Sequence, residues 1–278
     1  MQGLFRHALA ALQRHPDRIL EPQSFKAYTQ VQSLAAGPTA SHISVQNLAG
    51  LDADLRQAEV MIFRLGEGAD RTTRFALIQA ERSVDEFFLS EIAPPQPPRT
   101  FVPEGAPSDL YPFTLLGDLT ETGAVNLAIA SGLLPAALGC DQPASRVSPA
   151  TGASTYTFAV WPHRRLPDLQ WTHTRGQVEV DAVYCANRDG APVLFVIEAK
   201  HGPPAPLAKT KLAYACSAVA TKSIPKDMSV VPIYLRAWQP TRGVTCFAIT
   251  ECSGWARPQS YVADLHALST AHYAVDLR

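Results

Sequence analysis

Apolar and polar residues alternate over Gln177–Cys185, and Val193–Lys200 then runs almost wholly apolar, with charge only near its end. Alternation with a period of two marks a half-buried strand, and a short apolar run marks a buried one. The segment between them closes on Asp189-Gly190, a tight-turn pair, so the two runs predict a hairpin. Val230–Trp238 and Val244–Thr250 are further β-rich apolar runs, expected at the centre of the same sheet. One more strand is expected near Thr155–Trp161, inside a loop-like stretch from Cys140 to Gln170 that is rich in Pro, Ser, Thr and Gly. Two segments read as helices. Asp118–Leu134 carries Val125, Leu127, Ile129, Leu133 and Leu134 and meets Pro135 as a stop; Lys209–Thr221 is the other.

Nearer the start, Val60–Leu65 and Arg74–Ala80 predict a hairpin around Gly66-Glu-Gly-Ala-Asp-Arg71. Ser83-Val-Asp-Glu86 has the spacing of a capping box and predicts a short helix carrying Phe87, Phe88 and Leu89. Leu48–Leu55 is a further helical stretch, and the first fifteen residues suit a short basic surface helix better than a targeting peptide.

Seven prolines between Ala93 and Pro112 remove too many backbone donors for helix or central strand, so this stretch is expected to be an extended connector. The division that follows is an N-terminal α+β domain (1–92), the connector (93–112) and a catalytic-type domain (113–278). The N-terminal part shows no cluster of catalytic residue types and is left with recognition or assembly.

The chain has 278 residues and a net charge of −1, which by itself argues against a polyanionic partner. The average conceals a local bias. Five of the six lysines lie between Lys200 and Lys226, and His201–Thr245 holds six basic residues against one acid, Asp227. Five cysteines form no CxxC pair, which makes a reducing cytoplasm the expected compartment. No apolar run approaches the roughly 18 residues of a membrane span.

The chemistry concentrates in the first hairpin. Alternation puts Gln177, Glu179 and Asp181 on one face and Glu198 with Lys200 on one face of the next strand, and the turn sets Asp181 opposite residues 197–198. Carboxylates so placed repel one another unless one is protonated or a cation lies between them. A Mg²⁺ ion, which prefers oxygen ligands, satisfies both, and Lys200 then stands where charge develops on a phosphate. A structural Glu198–Lys200 ion pair accounts for the same residues without chemistry.

Asp181-(x16)-Glu198-Ala199-Lys200, with Phe195-Val-Ile leading into the second part, resembles the core motif of the PD-(D/E)XK nuclease superfamily, which includes type II restriction endonucleases and phage-defence nucleases. Val180 stands where the motif's name has proline. The resemblance implies a restriction-endonuclease-like mixed β-sheet flanked by helices, double-stranded DNA as substrate, Mg²⁺ as cofactor and a homodimer. It implies Asp181 and Glu198 as metal ligands, the Ala199 carbonyl as a further one, and Lys200 as the residue that assists the nucleophile. A glutamate on the preceding helix belongs to the same picture, and Glu121 is the choice here; Asp118 and Glu121 also have capping-box spacing, so a helix cap is its alternative. On the helix after the motif, Lys211 and Tyr214 are the first choices for nucleic-acid contact, followed by Lys209 and by Gln177. The basic triplet His163-Arg164-Arg165 is more simply an exposed loop.

Overall fold

The computed structural model describes residues 3–32, 42–93, 97–105, 107–115, 119–144, 148–256 and 259–278. In chain order the elements are α1 (Arg6–Arg14), β1 (Ile19–Ser24), α2 (Phe25–Val31), α3 (Ala53–Gln57), β2 (Val60–Glu67), β3 (Thr73–Gln79), β4 (Phe88–Leu89), β5 (Arg99–Phe101) and α4 (Pro107–Thr114). There follow α5 (Glu121–Ala130), α6 (Leu133–Ala137), β6 (Ala150–Val160), β7 (Trp171–Arg188), β8 (Ala191–His201), β9 (Leu207–Ala208), α7 (Lys209–Ala220), β10 (Ser229–Thr241), β11 (Val244–Cys252) and β12 (Ala267–Asp276). Among the described residues no helix is long and apolar enough to cross a membrane.

Ten strands form one mixed sheet in the order β1-β3-β2-β7-β8-β10-β11-β12-β5, with β6 on the other edge of β7. The expected hairpin is present: β7 and β8 pair antiparallel from Ala182↔Ile197 to Arg188↔Ala191. Asp189 and Gly190 both take positive φ in the turn, which an Asp-Gly pair supplies at low cost. Helix α7 carries the chain across to β10, which runs parallel to β8 and pairs with it from Ser229↔Val193 to Ala237↔His201.

Helices cover both faces. One core contains Val125, Leu127 and Leu134 of the α5–α6 region with Phe195, Ile197, Ile233 and Phe247. The other contains Leu212, Ala215 and Cys216 of α7 with Val178, Val180, Val196 and the N-terminal residues Phe63, Phe75 and Phe87. The N-terminal region therefore shares both the sheet and a core with the rest of the chain, where the sequence suggested a separate domain. It joins through Gly66, bridged to Thr174. A Cβ on Gly66, whose φ is +71°, would lie 2.2 Å from the Thr174 carbonyl, so only glycine permits this approach.

Several boundaries differ from the pattern-based expectation. The Pro-rich stretch holds β5, three residues paired parallel to β12, and opens α4. The segment expected as one helix is two: Gly132 in the left-handed region separates α5 from α6, and Pro135 sits inside α6 rather than ending the first helix. Ser83 does accept from the Asp85 amide, but it opens only a 3-10 turn, Val84–Phe87, before β4. Leu48–Leu55 splits at Asp52, which caps α3.

Candidate active site

Strand β7 has 18 residues and changes partner along its length. Its first part pairs with β6, and only from Ala182 onward does it pair with β8. The β6–β7 register slips between Ala150/Val183 and Gly152/Val180, so β7 has one extra residue there. Val178 and Val180 consequently pack in the core with α7, whereas Ala182 and Tyr184 pack in the core with α5. A β-bulge re-aims the side chain at its own position, and here that side chain is Asp181. The alternation that seemed to place Gln177, Glu179 and Asp181 on one face is thus interrupted just before Asp181.

Asp181 takes the place of the next ladder acceptor. Its Oδ2 accepts from the Ala199 amide at 2.8 Å, which fixes the carboxylate beside the end of β8. Glu198 is 1% exposed, and neither carboxylate oxygen has a hydrogen-bond donor among the described residues. Two ammonium groups hold it: Lys200 Nζ lies 3.0 Å from its Oε1, and Lys211 Nζ of α7 lies 3.7 Å from the same atom. Burial raises its pKa above the ordinary carboxylate value; Lys211 pulls it back, Asp181 adds to the rise and Lys200 opposes it.

Lys200 is the centre of the cluster. Its ammonium donates to the Ala199 carbonyl at 2.7 Å and to Glu121 Oε1 at 3.2 Å, and it stands 3.8 Å from Asp181 Oδ2. Burial disfavours its charge, but Glu198, Asp181 and Glu121 outweigh that and hold its pKa above the ordinary lysine value. One nitrogen therefore touches or approaches all four groups expected from sequence as metal ligands.

Glu121 does not cap its own helix. Thr120 is the N-cap of α5, its hydroxyl accepting from the Gly123 amide at 3.1 Å, and Glu121 is the first helical residue. Its carboxylate points to Lys200. Asp118, the other half of the proposed capping box, lies outside the described residues.

The nucleic-acid candidates divide. Lys211 and Gln177 line a cavity of about 220 Å³ beside the cluster, and Tyr214 forms part of its wall. The Tyr214 hydroxyl donates to the Arg64 carbonyl at 3.0 Å, and its ring packs edge-on to Phe158 and His173, so it is a wall and not a free phosphate donor. Lys209 is excluded. It is buried, with Nζ donating to the carbonyls of Glu86 at 2.6 Å and Ala263 at 2.7 Å, and burial pushes its pKa down to about 8.

The lysine- and arginine-rich stretch is not one continuous surface either. Arg236, paired with Lys200 across β8 and β10, is buried against Glu91 and over the Trp238 ring, and Lys222 lies over Tyr156. In the basic triplet, Arg164 pairs with Asp264, Arg165 reaches the carbonyls of Asp17 and Gln79, and His163 faces Glu86.

The molecule is thus a mixed α/β protein whose large sheet, flanked by helices, presents a carboxylate–lysine cluster where one long strand changes partner. Residues 108–261 match the family described as a domain of unknown function (DUF6997), and the chain belongs to that family. The match spans Glu121, Asp181, Glu198, Lys200 and Lys211 and leaves out the N-terminal region. No curated protein and no solved structure matches the chain.

Proposed function

We propose that this protein is a Mg²⁺-dependent endonuclease that hydrolyses DNA phosphodiester bonds, with a restriction-endonuclease-like core and a restriction or phage-defence role. The observation that carries the reading is the convergence of Asp181, Glu198, the Ala199 carbonyl and Glu121 on one cation, the Lys200 ammonium. The order helix α5, antiparallel β6-β7-β8, crossover helix α7, parallel β10 supports it, since the resemblance implies a mixed β-sheet flanked by helices.

The donor set suits a hard divalent ion. Every donor is oxygen, and the buried Glu198 carboxylate, whose Oε1 meets Lys200 and Lys211, has no other partner among the described residues. Asp181, Glu198, the Ala199 carbonyl and Glu121 would hold Mg²⁺. When bound, the ion supplies charge neutralisation at the phosphate and a lowered pKa for water. The chain's own part is fixed by its geometry. The bulge and the Ala199 amide orient Asp181, the sheet desolvates Glu198, and Lys200 brings a permanent positive charge to where a phosphorane-like charge grows. Three carboxylates against Lys200 and Lys211 leave the cluster at formal charge −1, so a divalent ion turns it attractive to phosphate.

A catalytically silent nuclease-fold module is the second reading, and one observation favours it. Lys200 already fills the centre of the cluster, and among the described residues no group of three His, Cys, Asp or Glu side chains is arranged around a shared metal position. Plasmid cleavage with Mg²⁺ decides between them. The nuclease reading expects cutting by the wild type and a loss of at least about a hundredfold in Lys200→Ala and Asp181→Ala. Equal cutting by all three proteins discards the site; duplex binding by a wild type that never cuts supports the silent module.

A further inference from the structure

The cavity beside the cluster is walled partly by the N-terminal region, to which no chemistry has yet been assigned. Gln46 precedes α3, and Arg64 lies on β2; both face Gln177 and Glu179 of β7 and Lys211 and Tyr214 of α7. The opening exists because of strand pairing. On the edge of β7 that carries β8, pairing stops at Ala182 and resumes only at Thr174, where β2 bridges. The backbone between these points is open to the cavity.

Arg64 is the second observation. It is half-buried and makes no side-chain hydrogen bond or ion pair among the described residues, although its carbonyl accepts from Tyr214. Each of the other described arginines that is not exposed has a partner: Arg74 on the Pro22 carbonyl, Arg165 on Gln79, Arg188 on Glu251 and Arg236 on Glu91. Its guanidinium is not sealed from solvent, and an anion in the cavity offers it charge-assisted hydrogen bonds. Lys211 supplies a second cation, and it also stands 3.7 Å from Glu198, so this one side chain belongs to both the cavity lining and the cluster.

We infer that this cavity holds one unstacked nucleotide of the substrate strand next to the scissile phosphate, with Arg64 and Lys211 on its phosphate and the amides of Gln46 and Gln177 on its base. The inference rests on the nuclease reading and deepens it. A volume of about 220 Å³ lies below the roughly 300–1,000 Å³ of drug-sized sites, which leaves room for one base with its sugar and phosphate towards the opening and none for a base-paired step. Amide side chains and a carboxylate, here Glu179, are the groups that read base edges, and the Tyr214 wall offers an aromatic surface to a base. An unstacked base is reached only in a single strand or by extrusion from a duplex.

The test titrates a fluorescein-labelled single-stranded oligodeoxynucleotide in EDTA against the wild type, Arg64→Ala, Arg64→Gln, Gln46→Ala and the exposed control Arg242→Ala, with melting curves to verify folding. Plasmid cleavage in Mg²⁺ is measured in parallel. Binding weakened about tenfold or more by both Arg64 variants and reduced by Gln46→Ala, with Arg242→Ala unchanged, is the expected result. Wild-type affinity in folded Arg64 and Gln46 variants overturns the pocket, as does a wild type that binds no single strand. If the wild type binds through Arg64 but never cuts, the pocket stands and the nuclease reading falls; if it cuts and Arg64 has no effect on binding, the reverse holds.

Discussion

At the scale of single residues, Lys200 is the cation that keeps three carboxylates together, and its loss has a stability signature separate from activity. Lys200→Ala leaves Glu198 buried with only Lys211 nearby, and an uncompensated buried acceptor costs about 1–3 kcal/mol. The expected outcome is a lower melting temperature in EDTA that Mg²⁺ restores more strongly than it stabilises the wild type; differential scanning fluorimetry with and without the ion reads it. Lys209 gives a pH prediction. The native state releases its proton near pH 8, the unfolded state only near 10.5, so between these values the unfolded chain binds more protons and stability rises with pH. Wild type is therefore expected to gain stability relative to Lys209→Met from pH 7 to about pH 10, seen in denaturation midpoints at each pH. Asp181, Glu198 and Lys200 were legible in the sequence because charge at the end of a buried run is rare. Arg64 was not, since only the tertiary structure shows that no described residue pairs with its side chain, and Lys209 was misread because its two carbonyl partners come from 123 and 54 residues away.

Among elements, β7 carries the organisation. The period of two and the Asp-Gly turn made the β7–β8 hairpin and its register readable, and the apolar runs placed β10 and β11. A bulge leaves no period of its own, however. The slip beside Asp181 became visible only through the two cores into which Val180 and Ala182 pack. The approach of β2 to β7 was hidden for a similar reason: Gly66 reads as a hairpin-end glycine, but its missing Cβ also makes room for Thr174 and Gly176. Gly66→Ala is expected to destabilise by at least about 2 kcal/mol, from positive φ together with the backbone clash, measured by urea unfolding. A variant as stable as wild type would show that the bridge is not needed.

Across the whole molecule, prolines suggested a boundary that packing does not respect. Phe63 meets Phe87 and Trp171 edge-on at centroid distances of 5.7 and 5.4 Å, β4 pairs with β9, and Arg236 is tied to Glu91. Composition marks where a chain cannot be helical, but not whether the pieces on either side bury the same surface. Residues 93–278 expressed alone are expected to unfold without cooperativity and to bind a hydrophobic dye, because the core of Val178, Val196 and Leu212 loses its N-terminal cover. A sharp, cooperative transition for this fragment would restore the two-domain view.

The seat taken by Lys200 has a consequence for dose and timing. A counter-ion that is part of the polypeptide is delivered in fixed stoichiometry and at a high effective concentration, so the fold can be completed before any metal is loaded. On the nuclease reading, a free divalent ion would compete with a tethered rival and gain occupancy only above a threshold concentration. A substrate phosphate would lower that threshold by offering the ammonium a second place to go.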